Sequence, residues 1–174
     1  MAAASAGPSA APPEGQTATV TGTRDKTPIP TVRAATLTKA WKSHWHTDLE
    51  VVQNDVVRVQ RTTVDYPTGH GKLTLSVQQE GTGTNPSPSL VRCTLADNSL
   101  GTGFVKLTDT LVGKMVSDCW GAVLAPHERT QIADWLLANY KLDKYGVNRT
   151  QAFARFAVRL EAVPTSVSLY LLAK

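Results

Sequence analysis

The stretch LVGKMVSDCWGAVL, from Leu111 to Leu124, decides more about the fold than any other segment of the chain. Its apolar residues recur at i, i+1, i+4 and i+5, which is the period of one helix face. The pattern predicts an amphipathic helix near residues 109–124 that buries this face, with Trp120 at the centre of the packing. The residues on the face are Leu111, Val112, Met115, Val116, Cys119, Trp120 and Val123.

The composition of the chain is poor in charge. Of the 174 residues, 41% are hydrophobic and 18% are charged, whereas soluble domains carry roughly 25% charged residues. Such a surface is either covered by small polar residues or partly buried against other subunits, and the second reading fits a self-assembling protein. The net charge of +4 is compatible with nucleic acid as a partner and equally with ordinary solubility charge.

No targeting or membrane segment is visible in the sequence. The N-terminus lacks the basic and apolar regions of a signal peptide, and no apolar run approaches the ~18 residues of a membrane span. We therefore expect a protein that is not secreted by a signal peptide and has no membrane partner. Cys93 and Cys119 are the only cysteines, and buried free thiols are favoured over a disulfide.

The division of the chain follows from its composition. Residues 1–16 are rich in Ala, Pro, Ser and Gly and predict an extended or disordered arm. Residues 17–174 are predicted to form a single α+β domain, which is mainly β over 17–107, helical over 108–162 and a strand over 165–172.

Alternating β-branched residues predict most of the strands. VVRVQRTTV and KLTLSVQQ, on either side of the turn at Pro67–Gly71, predict an antiparallel hairpin. Shorter strands are expected at 17–23, 31–37, 90–95 and 102–107.

Three amphipathic helices are predicted after these strands. The second follows Pro126, which suits the first turn of a helix. The third begins at Asn148, with Phe153, Phe156 and Leu160 on its apolar face. The fold class is therefore predicted as α+β: an antiparallel sheet of N-terminal and central strands, then three helices and a C-terminal strand that rejoins the sheet or extends a neighbour's edge.

Catalytic and metal-binding signals are weak. His44, His46, Asp48 and Glu50 are spaced by two and would share one face of a strand, but no further His or Cys completes a metal site. His70 has no evident nucleophile or carboxylate partner. We therefore expect no enzyme activity, no metal and no cofactor.

The basic residues of the strands are the candidate nucleic-acid contacts: Arg58, Arg61, Lys72 and Arg92. Arg58, Lys72 and Arg92 are expected to line one side of the sheet, among small polar groups that could touch sugars or bases. The alternative is an ordinary solvated sheet face. A weaker candidate is YGVNRT, Tyr145–Thr150, whose turn before a predicted helix is similar to part of a helix-turn-helix.

The segments VVRVQRTTV, GKLTLSVQQ and LVRCTLA, followed by amphipathic helices, resemble the coat proteins of single-stranded RNA bacteriophages over roughly residues 50–141. This resemblance implies a dimeric building block, a sheet that faces packaged RNA and helices that clasp the partner. The predicted function is a self-assembling viral coat subunit that packages RNA, located in the virion or the cytoplasm. The alternative is a small nucleic-acid-binding regulator that acts as a monomer or dimer.

Overall fold

The computed structural model describes residues 26–66, 71–81, 84–141 and 146–174. Within these ranges the chain forms seven strands and three helices, with a 3-10 turn at Asn98–Leu100. The predicted arm at 1–16 and the predicted strand at 17–23 lie outside the described residues. The elements in chain order are α1 (Ala34–Trp45), β1 (Glu50–Gln53), β2 (Val57–Asp65), β3 (Lys72–Glu80), β4 (Leu90–Ala96), α2 (Asp109–Trp120), α3 (Pro126–Asn139), β5 (Val147–Ala152), β6 (Ala157–Val163) and β7 (Ser166–Leu172).

The seven strands form one antiparallel sheet in the order β1-β2-β3-β4-β7-β6-β5. The predicted hairpin is present as β2 and β3, in which Val57 pairs with Glu80 and Asp65 with Lys72. The C-terminal strand β7 rejoins the sheet between β4 and β6. Its central position explains why every residue from Val167 to Leu172 is buried, on both faces.

The pairing register divides the sheet into two faces, because successive residues of a strand point in opposite directions. We call the first face the helix side, since its apolar residues share one core with those of α1, α2 and α3. Leu75, Cys93, Leu169 and Leu160 pair in that order across four strands of this side and are buried. We call the second face the open face, because no described helix packs against it.

Helix α2 is the central helix of this core, as its sequence predicted. All six apolar residues of its face between Leu111 and Trp120 are buried, and Trp120 is 0% exposed. Thr108 caps the helix, its hydroxyl accepting a hydrogen bond from the Leu111 amide at 3.2 Å. Trp41 of α1 crosses to α2, where its indole N–H donates to the Cys119 carbonyl at 3.0 Å.

A partly buried ion pair joins the start of α3 to the turn between β5 and β6. Arg155 donates to both oxygens of Glu128, at 2.8 and 2.5 Å. Glu128 also accepts from the Ala125 amide at 2.9 Å, which caps the helix start. A further N–H of Arg155 bonds the Thr31 hydroxyl before α1. One guanidinium therefore joins three segments that are far apart in sequence.

The predicted α+β fold class is wrong. The protein is mainly β, with α1 before the first strand and α2 and α3 between β4 and β5. The region 108–162 is not helical throughout, because the predicted third helix is the hairpin of β5 and β6. The aromatic residues at 153 and 156 lie in its turn, and Val158, Leu160 and Ala162 alternate towards the core. A turn with aromatic residues followed by alternation matches helical spacing by coincidence.

Two shorter strand predictions are also wrong. The segment predicted as a strand at 31–37 contains the start of α1, whose residues Ala34, Leu37 and Trp41 face the core at helical spacing. Residues 102–107 form no strand and lead irregularly into α2. The region 17–107, which was predicted to be mainly β, thus contains helix α1. Its Thr residues favoured the prediction of a strand.

The cysteines are buried as expected, but the prediction of free thiols is wrong. Cys93 of β4 and Cys119 of α2 form a disulfide that joins the sheet to its central helix. The two elements are in contact across the core, so both side chains are 0% exposed. The linear sequence does not reveal this contact, because it depends on which face of β4 meets α2.

Candidate nucleic-acid interface

A single row of side chains crosses the open face from one edge of the sheet to the other. Arg61 of β2, Arg92 of β4 and Arg159 of β6 lie in this row, and Tyr170 of β7 stands between the last two. Three arginines from distant parts of the sequence are therefore aligned on one face. The complete row is Glu50, Arg61, Ser76, Arg92, Tyr170, Arg159 and Thr150.

A row of hydroxyl groups runs beside the arginine row. Thr63 and Thr74 are paired across β2 and β3, with their hydroxyl oxygens 2.9 Å apart. Thr94 and Ser168 are paired across β4 and β7, with their oxygens 2.8 Å apart. These groups donate and accept hydrogen bonds, so the face offers polar contacts beside its arginines.

Tyr170 is enclosed by the two arginines on the neighbouring strands. The guanidinium carbon of Arg159 lies 4.2 Å from the ring centre and that of Arg92 lies 5.3 Å from it. The phenol donates to Glu161 at 2.6 Å. Burial, followed by this hydrogen bond, raises the pKa of Tyr170. The residue is only 7% exposed on a face that no described helix covers.

Most cations of the open face have a carboxylate partner. Arg61 forms a two-pronged pair with Glu50 at 2.7 and 3.1 Å, and the hydrogen bond from Arg61 lowers the pKa of Glu50. The other pairs are Lys72 with Asp65 at 2.7 Å and Arg159 with Glu161 at 3.2 Å. Glu80 also lies on the open face. The described strands therefore place four cations and four carboxylates on this face, and their charges cancel.

Arg92 differs from the other three cations because its hydrogen bonds go to hydroxyls. Its Nε donates to Thr94 at 3.0 Å and its Nη2 donates to Ser168 at 3.3 Å. The side chain is exposed. Among the described residues of this face, Arg92 is thus the cation without a carboxylate in an ion pair.

Arg58 does not lie with the other candidates. It pairs with Gln79, whose side chain is buried on the helix side, whereas Arg61, Lys72 and Arg92 occupy the open face. The expected grouping of Arg58 with Lys72 and Arg92 is therefore wrong. The two-residue period places Arg58 opposite Arg61, and only the pairing of β2 with β3 and β4 decides which of them joins Lys72.

Arg159 and Tyr170 belong to this surface although the sequence did not predict them as part of it. The predicted third helix contains Arg159, and in a helix this residue would not share a row with Arg92. The alternation of Val158, Leu160 and Ala162 around Arg159 was the signal that could have revealed a strand. Tyr170 was in a predicted strand, but its neighbours depend on the position of β7 within the sheet.

A second polar cluster lies at the other side of the molecule, between α1 and α2. Asp118 accepts from Tyr66 and from Lys114, each at 2.9 Å, and lies 3.5 Å from His44. Burial and the charge of Asp118 raise the pKa of Tyr66. An adjoining cleft of about 300 Å³ is lined by Ala40, Trp41, His44, Ser117, Asp118, Cys119 and Ala122.

The histidine pair does not assemble with its neighbouring carboxylates. His44 lies in the last turn of α1 and His46 ends that helix in a left-handed conformation, so the strand that would align them with Asp48 and Glu50 is absent there. The described residues contain no cluster of three or more His, Cys, Asp or Glu side chains suited to a metal ion. His70 and Tyr145 lie outside the described residues, and Asn148–Thr150 belong to β5.

None of the described helices is long and apolar enough to span a membrane.

Comparison with known protein families, characterised proteins and solved structures finds no match to this chain.

Proposed function

We propose that this protein is a viral coat subunit that assembles with copies of itself and packages RNA against the open face of its sheet. The observation that carries the proposal is the uncovered face of a seven-stranded sheet, bordered by an edge strand with exposed valines. No described helix packs against this polar face, so it is available to a partner. RNA can bind the arginines and hydroxyls of the open face, and another subunit can bind the edge strand β1.

The edge strand β1 supports self-assembly. Among the described residues it pairs only with β2, so the backbone groups on its outer side are available to another strand. Val51 and Val52 are 49% and 50% exposed, and Val56 beside the strand is 64% exposed. Exposed valines on an unpaired edge favour strand addition, in which backbone hydrogen bonds join two chains and apolar side chains pack beside them.

The open face supports RNA as the packaged partner. Its arginines can bind phosphate groups, and its Thr and Ser hydroxyls can contact sugars and bases. Because carboxylates neutralise Arg61, Lys72 and Arg159, we expect each subunit to bind with moderate affinity and to neutralise few phosphates, so that the salt dependence per subunit is shallow. Moderate affinity suits a coat, since many weak contacts on many subunits sum to stable packaging.

Assembly is tested by size-exclusion chromatography with light scattering and by negative-stain microscopy. We expect regular particles that contain RNA. A monodisperse 18.7 kDa monomer at high concentration would contradict self-assembly. Discrete dimers that bind RNA without forming particles would instead identify a nucleic-acid-binding regulator.

The edge contact has a matched control. Val52→Lys places a charge on the edge strand and should prevent assembly while the fold persists. Val163→Lys introduces the same charge at a similarly exposed valine, 53% exposed on β6, and should assemble normally. Circular dichroism checks that both variants fold. If both variants, or neither, failed to assemble, the contact would not depend on β1.

A further inference from the structure

The surroundings of Tyr170 indicate which part of an RNA strand this surface binds. We infer that Arg92, assisted by Arg159 and by the hydroxyls of Thr94 and Ser168, binds the phosphodiester backbone of single-stranded RNA without stacking a base. The inference rests on the proposed function and deepens it. It predicts that packaging is independent of base sequence at this site.

The aromatic ring is not available for stacking. Base stacking needs an exposed ring face, but Tyr170 is 7% exposed and has a guanidinium group from each neighbouring strand over its ring. Cation–π contacts of this kind hold the arginines in place. The tyrosine therefore orients the two cations and does not present a surface to a base.

The donors of Arg92 suit a phosphate group. A guanidinium has five N–H donors in a planar fork that matches phosphate oxygens. Thr94 and Ser168 accept from Nε and Nη2, which fixes the direction of the fork. The remaining donors lie on an exposed side chain, so a phosphate can bind without first displacing a carboxylate from an ion pair.

Glu161 opposes this binding on the side of Arg159. Its carboxylate lies 3.2 Å from Arg159 and accepts the Tyr170 phenol, so it partly neutralises the second cation. A phosphate close to Arg159 would be repelled by Glu161. We therefore assign the main contact to Arg92, and we expect Glu161→Gln, which keeps a hydrogen-bond acceptor for Tyr170, to strengthen RNA binding several-fold.

Fluorescence anisotropy with a uridine decamer and an abasic decamer of equal length tests the inference. The full chain is used in the smallest oligomer isolated by chromatography, over a series of salt concentrations. We expect the two decamers to bind within about threefold of each other, because both carry the same phosphates. Loss of one stacked base would instead weaken the abasic strand by roughly fivefold or more.

Variants locate the contact. Arg92→Gln should weaken both decamers by roughly tenfold and reduce the slope of log K against log salt by about 0.7. The control is Arg149→Gln, which removes the same charge from an exposed arginine on the helix side of β5 and should leave binding unchanged. Inorganic phosphate at equal ionic strength should leave the strand bound.

The outcomes separate this inference from the proposed function. Tight RNA binding by the unaltered chain together with unchanged binding by Arg92→Gln would overturn the inference alone, as would strong preference for the uridine decamer. Displacement by inorganic phosphate would show a site for free phosphate and would also overturn it. No RNA binding by the unaltered chain would overturn RNA packaging itself.

Discussion

The two faces of the sheet have opposite chemistry although the same strands build both. On the helix side, Leu75, Cys93, Leu169 and Leu160 form a buried row beneath α2. One residue away along each of these strands lies the open-face row with Ser76, Arg92, Tyr170 and Arg159. The row on the helix side therefore stabilises the fold, and the row on the open face presents polar groups.

This division means that the two faces should respond differently to substitution. Changes on the helix side remove packing, a disulfide or a partly buried charge pair, each of which contributes to the free energy of unfolding. Changes on the open face remove exposed groups and should alter binding with little effect on stability. Substitutions on the two faces should therefore differ in their effect on stability, from several kcal/mol in the core to a few tenths on the open face.

The largest effect is expected at Trp120. Trp120→Ala removes a fully buried ring from the core that the helices share with the sheet and should lower the free energy of unfolding by ~3–5 kcal/mol. Urea denaturation followed by circular dichroism measures the loss. A loss below about 1 kcal/mol would show that α2 does not anchor the core, and a loss large enough to prevent folding agrees with the prediction.

Reduction of the Cys93–Cys119 disulfide should have the next largest effect. The bond closes a loop with a sequence separation of 26 residues, and opening such a loop typically costs about 2–4 kcal/mol because the unfolded chain gains freedom. Urea denaturation with and without a reducing agent measures the difference. In the double variant Cys93→Ala, Cys119→Ala the reducing agent should change nothing; an equal shift there would exclude the disulfide as its cause.

The Glu128–Arg155 pair should give a pH-dependent contribution to stability. The hydrogen bonds from Arg155 hold the pKa of Glu128 below its usual value near 4.5. The unfolded chain therefore takes up this proton more readily, so the contribution is complete above pH ~4.5 and is lost as the pH falls through the lower folded pKa.

Substitution of Glu128 checks the sign of this pH dependence. Glu128→Gln should lower the free energy of unfolding by about 1.5–3 kcal/mol at pH 7 and by less at about pH 3. Urea denaturation at both pH values measures the two losses. Asp134→Asn, an exposed change on the same helix, serves as the control and should show neither loss. An equal loss for Glu128→Gln at both pH values would contradict the role of the ion pair.

The smallest effect on stability is expected on the open face. Thr63→Ala removes an exposed hydroxyl that contacts Thr74, and the free energy of unfolding should change by no more than about 0.5 kcal/mol. The same denaturation assay measures it. A loss similar to that of Trp120→Ala would mean that the open face is part of the stabilising core and would remove the contrast between the faces.

Prediction from the sequence succeeded where a local pattern was long and regular. The hairpin of β2 and β3 and the helix α2 each bury one face at a constant period, so their side chains report the structure directly. It failed for the hairpin of β5 and β6, where an aromatic turn produced helical spacing. It also failed for α1, because Thr residues favour the prediction of a strand whereas tertiary packing stabilises a helix there.

The candidate site was predicted in part for the same reason. The basic residues of β2, β3 and β4 could be identified from the sequence. The face on which each of them lies, however, depends on the pairing of all the strands. Arg58 and Arg61 could not be separated, because nothing within β2 states which of its two faces meets the helices. Arg159 and Tyr170 join Arg92 only because β7 inserts between β4 and β6.

The sequence by itself determined the segments in which backbone hydrogen bonding and an apolar period agree, namely α2 and the strands β2, β3, β4 and β7. Only the tertiary structure decided the strand order, the Cys93–Cys119 disulfide and the row of arginines around Tyr170. The physical reason is range: side-chain periods arise from neighbouring residues, whereas the register between strands arises from burying one shared core.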